Sequence, residues 1–264
     1  DSPSVVRANS GNVIGDTTPV GSYPEGASIY GILDLSGNVW EWTTSIYAPY
    51  PYRRDDGRED VQRWGERVVR GGNYLSADRN IRCSDRHFVY PTSRDVYIGF
   101  RVVANSDLKI LEREGIDLNL REVPAGRFVM GNNFHKVDDF QAQLEQLIGS
   151  HHGSNRAADF DNEQPQHTLD LPSFRINKNL ITNRQYEFFT KDTGYPDPGH
   201  WPEGRVSQTL ANHPVVYVDW HDAQAFCDWA NVKLPTEPQW ERAARSVDGR
   251  IWPWGNIPPN DNKF

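Results

Sequence analysis

Apolar and polar positions alternate, or recur at helical spacing, only in short bursts along this chain, with long stretches between them that keep neither period. Two β-branched runs, Arg67–Arg70 and Phe100–Val103, predict strands that pair with each other across the segment they bracket. Trp40 and Trp42 alternate onto one face of a further strand at the end of the run Tyr30–Trp42. Leu120 to Met130 reads as a strand, a Pro124-Ala125-Gly126 turn and a second strand, a hairpin that opens a new element. Three helices carry start signals: Thr182, Asp219 and Thr236 each stand three residues before Gln185, Asp222 and Gln239, the reciprocal partners of a capping box. The second helix presents Trp220, Ala223, Phe226, Cys227 and Ala230 at helical spacing and the third Trp240, Ala243 and Ala244, so both bury one face and Cys227 reads as a small core residue. Residues 1–28 read as coil and 48–65 as a surface loop whose Tyr47, Tyr50 and Tyr52 could border a site. Ser106–Gly115 reads as a short connector, and 132–166 as a surface insertion with an amphipathic piece, Val137–Ile148, and a solvated His151-His152 pair.

The segment between the first two runs, residues 73–98, has no sustained period, and compact domains keep connections of that length chiefly for binding or catalysis. Tyr74, Ser76, Asp78, Asn80, Ser84, Asp85, His87, Phe88, Tyr90, Thr92, Ser93, Asp95 and Tyr97 mix rigid aromatics with small hydrogen-bonding groups, the mixture that recognition surfaces favour. Arg70, Arg82, Arg86, Arg94 and Arg101, with Gly71, Gly72, Pro91 and Gly99, read as a frame of ion-pairing cations and fixed corners.

Composition narrows the function classes. The chain has 264 residues, 37% hydrophobic, with 21 Gly, 18 Pro, nine Trp and eleven Tyr, and a mean hydropathy of −0.72. Those values predict a turn-rich fold stapled by aromatics. A net charge of −8 argues against bulk nucleic-acid binding, and no apolar run predicts membrane insertion. Arg53–Arg101 holds eleven Arg and no Lys, which points to structured ion pairs. Cys83 and Cys227 are the only cysteines, too few for a disulfide framework and in keeping with a reducing compartment. Asp34, Asn38 and Glu41 offer hard oxygen donors around Gly37, a set chemically suited to Ca²⁺; capping and loop hydrogen bonds would explain them equally.

Gly37–Trp42, Arg70-Gly71-Gly72, Gly99-Phe100-Arg101, Val123–Gly126, Leu234–Glu237 and Trp252–Asn256 together resemble the formylglycine-generating enzyme, or sulfatase-modifying factor, family over nearly the whole chain. The resemblance implies an α+β, C-type-lectin-like fold with much irregular structure. It also implies a rotated order: residues 1–103 resemble the family's C-terminal half and 120–264 its N-terminal half, joined by 104–119 into one circularly permuted domain. Enzymes of that family use a cysteine pair with copper and oxygen, and Ser76 and Ile81 stand where the pair would be, so neither copper nor formylglycine chemistry is expected. The iron-binding helical bundle of the sulfoxide-synthase relatives is not visible either.

The resemblance is strongest to the variable proteins of diversity-generating retroelements, whose corresponding loop is a diversified ligand-binding surface. It therefore implies a non-catalytic module binding a protein or other macromolecule through Tyr74, Ser76, Asp78, Ser84, Asp85, His87, Phe88, Tyr90, Ser93, Asp95, Val96 and Tyr97. An enzyme, or an oligomerising module, are the alternatives. It further implies calcium at Asp34 and Glu41 with the Gly37 and Val39 carbonyls, and at Asn12 with the Ile14 carbonyl, completed near Asn262.

Overall fold

A computed structural model describes residues 6–105, 116–133 and 158–259. The connector Ser106–Gly115, the piece Val137–Ile148, the His151-His152 pair and Asn262 lie outside the described residues.

Strand β1 (Trp40–Ile46) is the hub of the principal sheet. It pairs antiparallel with β2 (Arg67–Arg70) in the register Glu41↔Arg70 and Trp42↔Val69, and parallel with the two-residue β4 (Ile98–Gly99). β3 (Arg86–Val89) joins the free edge of β2, giving the order β3-β2-β1-β4. The expected pairing of Arg67–Arg70 with Phe100–Val103 is therefore wrong: β2 lies between β1 and β3, and the chain beyond Gly99 leaves this sheet. The candidate segment is also less irregular than expected, since a 3-10 turn at Asp78–Ile81 and all of β3 lie within it.

A second sheet has the order β5-β9-β6, from Val103–Asn105, Phe174–Asn177 and Leu120–Val123, and a third pairs β7 (Gly126–Met130) with β8 (His167–Leu171). The expected hairpin of residues 120–130 does not form. Its strands exist but diverge at the Pro124-Ala125-Gly126 corner, where Gly126 takes φ +148°, and each pairs with a different strand of the 167–177 run.

The helices are α1 (Asn183–Thr193), α2 (Trp220–Ala230) and α3 (Glu237–Arg245), with a single helical turn at Ala158–Asp161. All three caps read from the sequence form complete capping boxes. Among the described residues no helix is long and apolar enough to cross a membrane.

One core joins the principal sheet to α1 and α2, with Phe100, Tyr186, Phe189 and Phe226 in mutual ring contact. Two tryptophans lock it to the sheet: Trp42 donates its indole N–H to the Val218 carbonyl at 3.1 Å, and Trp220 donates to the Thr43 carbonyl at 2.9 Å. A second core gathers Trp240, Phe128, Met130, Phe174 and Ile176 between α3 and the smaller sheets. Tyr50 and Tyr52, expected at the border of a site, belong to this core at 6% exposure each. At the two limits of the described chain, Arg7 donates its backbone N–H to the Pro259 carbonyl at 3.1 Å.

Candidate functional site

The candidate segment rests on a layer of buried ion pairs. Arg70, on β2, reaches Glu241 at 2.5 Å and also donates to the Cys83 and Ser84 carbonyls. Arg82 makes a two-pronged pair with Glu163 at 2.9 and 2.6 Å, and Arg86 another with Glu237 at 2.7 and 2.9 Å. Glu237 and Glu241 are one helical turn apart, so the Thr236 cap that fixes the start of α3 also sets where two of the three carboxylates meet the segment. All six side chains are buried. Removing one partner of such a pair leaves a bare charge in the interior, at a cost of about 3–5 kcal/mol. The frame read from the arginines thus exists, and residues 163, 237 and 241 supply the carboxylates.

On this layer the segment folds back to form an open cleft of about 680 Å3. β3 alternates across it: Phe88 turns away to pack on Tyr47, at a ring separation of 4.4 Å, while His87 and Val89 line the cleft and His87 faces Trp40 at 5.9 Å. The glycine corner is obligatory. Gly72 has φ +72°, and a Cβ there would lie 2.6 Å from both the Asn80 carbonyl oxygen and Ile81 Cγ2, and 3.3 Å from Ser76 Oγ. The positions of the expected cysteine pair therefore converge on Gly72. Ser76 donates to Asn73 Oδ1 at 3.1 Å and lines the cleft, whereas Ile81 is fully buried.

Of the twelve candidate residues, the cleft brings together Ser76, Asp85, His87, Ser93, Asp95 and Tyr97. The other six lie elsewhere. Tyr74 is buried; Asp78 accepts from the Ser10 hydroxyl; Ser84 is buried, its hydroxyl taken by Arg82 and Asn132. Phe88 faces Tyr47, Val96 is half-buried outside the lining, and Tyr90 is 59% exposed on the outer surface. Trp40, Leu75 and Asn162 complete walls that the candidate set lacked. Trp40 had a signal, since the alternation read for β1 exposes its first residue at the sheet end. Asn162 had none, coming from a distant part of the chain.

Electrostatically the cleft favours hydrogen-bond donors. Tyr97 donates its hydroxyl to Asp95, which holds the phenol above its ordinary pKa, and burial holds His87 below the usual imidazole value. Asp85, a largely buried part of the lining, is pushed up to about 7, chiefly by desolvation. Cys83 beneath the segment is no nucleophile, because burial pushes its thiol up to about 12.

The carboxylates expected to bind calcium have protein partners in this structure. Both Glu41 oxygens are held by Arg101, at 2.5 and 2.7 Å, and one also accepts from the Trp240 indole at 2.9 Å, so this carboxylate is the partner of a buried guanidinium. Asp34 accepts from the Gly21 N–H at 2.7 Å and is pushed up to about 6 by burial, which favours its neutral form. Asn12 and Ile14 lie in an exposed turn. Among the described residues no group of three or more His, Cys, Asp or Glu side chains is placed to hold a metal ion; the expected set, two carboxylates with two backbone carbonyls, is of a different kind.

Comparison with known proteins places this geometry. The model of the sulfatase-modifying factor enzyme 1-like domain matches residues 6–106 and 121–263. Similar curated proteins include a hercynine oxygenase of Mycobacterium tuberculosis, 31% identical over 38% of this chain and 31% of its own length. A formylglycine-generating enzyme of Thermomonospora curvata is 34% identical over 36% of this chain and 45% of its own, and one of Streptomyces coelicolor 31% identical over 51% and 49%. The chain thus spans from about a third to half the length of these relatives. All three are named as enzymes, which overturns the expectation that the loss of two thiols marks a non-catalytic chain. By sequence match over both of its halves, the chain belongs to the sulfatase-modifying factor enzyme 1-like family.

Proposed function

We propose that residues 73–98 form the substrate-recognition face of an enzyme-like member of this family, and that the substrate is a polypeptide segment lying across the cleft. The observation that carries the reading is the division of the segment into two layers. Arg70 and Arg82 are locked below by carboxylates and Arg86 is locked by Glu237 at the cleft floor, while Ser76, His87, Ser93, Asp95 and Tyr97 line the open cleft. Rigid aromatics beside small polar groups bind extended ligands with little loss of side-chain freedom. Neither Ser76 nor Ile81 can supply a thiolate, so the cleft binds and orients the polypeptide, and no step passes through a cysteine pair at these positions.

The finer form of the reading makes the cleft lining a diversified surface of the retroelement kind, on a domain whose element order is rotated. Support for the rotation is the closeness of residues 7 and 259 and the placing of β5 and β6 on either side of β9. DNA flanking the gene, carrying a near-copy of the coding segment for 67–103 that differs only at adenines, would support diversification.

The direct test is selection of binders from a random peptide library, followed by affinity measurement with Ser76→Trp, which puts an indole on the cleft lining. Selected peptides should lose at least tenfold in affinity for this variant. Failure to select any peptide, or binders indifferent to Ser76→Trp, would overturn the reading.

A further inference from the structure

One carboxylate of the cleft is short of a cation. The Arg82 fork is taken end-on by Glu163, and Asn132 donates to the same carboxylate, so Asp85 meets Arg82 Nη2 only at 3.5 Å. Two buried carboxylates thus share one guanidinium. The next positive charge, Arg70, is already held by Glu241 and Glu237. Asn80 gives Asp85 a single side-chain hydrogen bond.

A second group in the same cleft lacks a donor. Asn162 donates its amide N–H to the Arg86 carbonyl at 2.9 Å, but its Oδ1 is buried without a hydrogen-bond partner. A buried acceptor left unpaired costs about 1–3 kcal/mol, and a carboxylate with too little compensation costs more. Both residues line the cleft, and each would be satisfied by a group bearing positive charge and several N–H donors.

Resting on the recognition role of residues 73–98, we propose that the part of the cleft lined by Asp85 and Asn162 is a subsite for the ammonium group of a lysine side chain on the bound polypeptide. Leu75, 47% exposed at the cleft wall, and Trp40 offer apolar surface to the lysine methylenes. An ammonium suits the site better than a guanidinium, because its three donors point in independent directions toward separate acceptors. Occupancy needs Asp85 ionised. The charged groups that face it are Arg82 and Arg70, which favour ionisation, and Glu163, which opposes it. Binding therefore strengthens as pH rises through neutrality.

The test compares lysine blocked at its amino and carboxyl ends with the equally blocked Nε-acetyl-lysine, norleucine and glutamate, followed by NMR through the His87 ring resonances. Blocked lysine should bind at least tenfold tighter than blocked norleucine at pH 8, with the preference falling toward unity at pH 5.5. Asp85→Asn should erase the preference; should that variant fail to fold, Asn162→Ala should weaken it severalfold. Equal binding of lysine and norleucine, or a preference that survives Asp85→Asn, overturns the ammonium subsite while leaving the cleft as a binding site. If no blocked amino acid shifts His87, and selected peptides ignore Ser76→Trp, the recognition reading falls with it.

Discussion

Single residues decide the electrostatics of the cleft and its support. Asp85 is a buried acid whose pKa stands at about 7, above its unfolded value of about 4. Between those values the folded state holds more protons than the unfolded one, so this group's contribution to stability is complete at low pH and is lost as pH rises toward and through 7. Asp85→Asn removes that dependence. Its gain in unfolding free energy over the natural chain should grow by on the order of 1–3 kcal/mol between pH 5 and pH 8, measured by urea titration at each pH. Glu41 is also held above the ordinary carboxylate value by burial, but it differs in being half of a buried pair with Arg101. Glu41→Gln should cost about 3–5 kcal/mol, equally with and without a calcium chelator; a loss that appears only without chelator would assign this residue to a metal. At this scale the sequence was readable where residue type limits the options. Eleven arginines with no lysine from Arg53 to Arg101 announced a frame of ion pairs, and the Gly71-Gly72 pair announced a tight corner. Asn162 and Glu163 could not be read, because nothing local in a chain tells which distant amide or carboxylate will close a site.

Elements were legible where their signals are local. The three capping boxes lie within four residues each, and all formed as read. Strand partners are not local, and there the reading failed: β3 exists because the edge of β2 offers it hydrogen bonds, and β6 and β7 part at Gly126 because the 167–177 run takes them both. That run carried its own alternation, Thr168-Leu169-Asp170-Leu171 and Phe174-Arg175-Ile176, which was the missed clue. The cap of α3 matters beyond the helix, since its first turn holds Glu237 against Arg86. Thr236→Ala should cost about 1 kcal/mol in urea unfolding. Because β3 is anchored through that ion pair, hydrogen exchange at the β3 amides should quicken in the same variant, whereas the matching change at α1, Thr182→Ala, should leave β3 exchange unchanged relative to global stability.

At the scale of the whole molecule, the order of elements along the chain is loosely tied to their order in space. β5 and β6 flank β9, and Arg7 donates to Pro259, so a chain opened between 106 and 119 and joined from its last residue to its first is expected to keep the same strand neighbours. A chain rebuilt that way should unfold within a few degrees of the original in a thermal scan; failure to fold would mean that the present order is needed for assembly. The ion pairs add a further consequence. Arg70, Arg82 and Arg86 lie before residue 106 and their partners Glu163, Glu237 and Glu241 after residue 116, so each half alone carries buried charge whose counterpart is in the other. The two halves are therefore matched like the parts of a split reporter. Made as separate polypeptides, they should be poor at self-association and selective for each other, and the reunited pair would expose the cleft only once both were present.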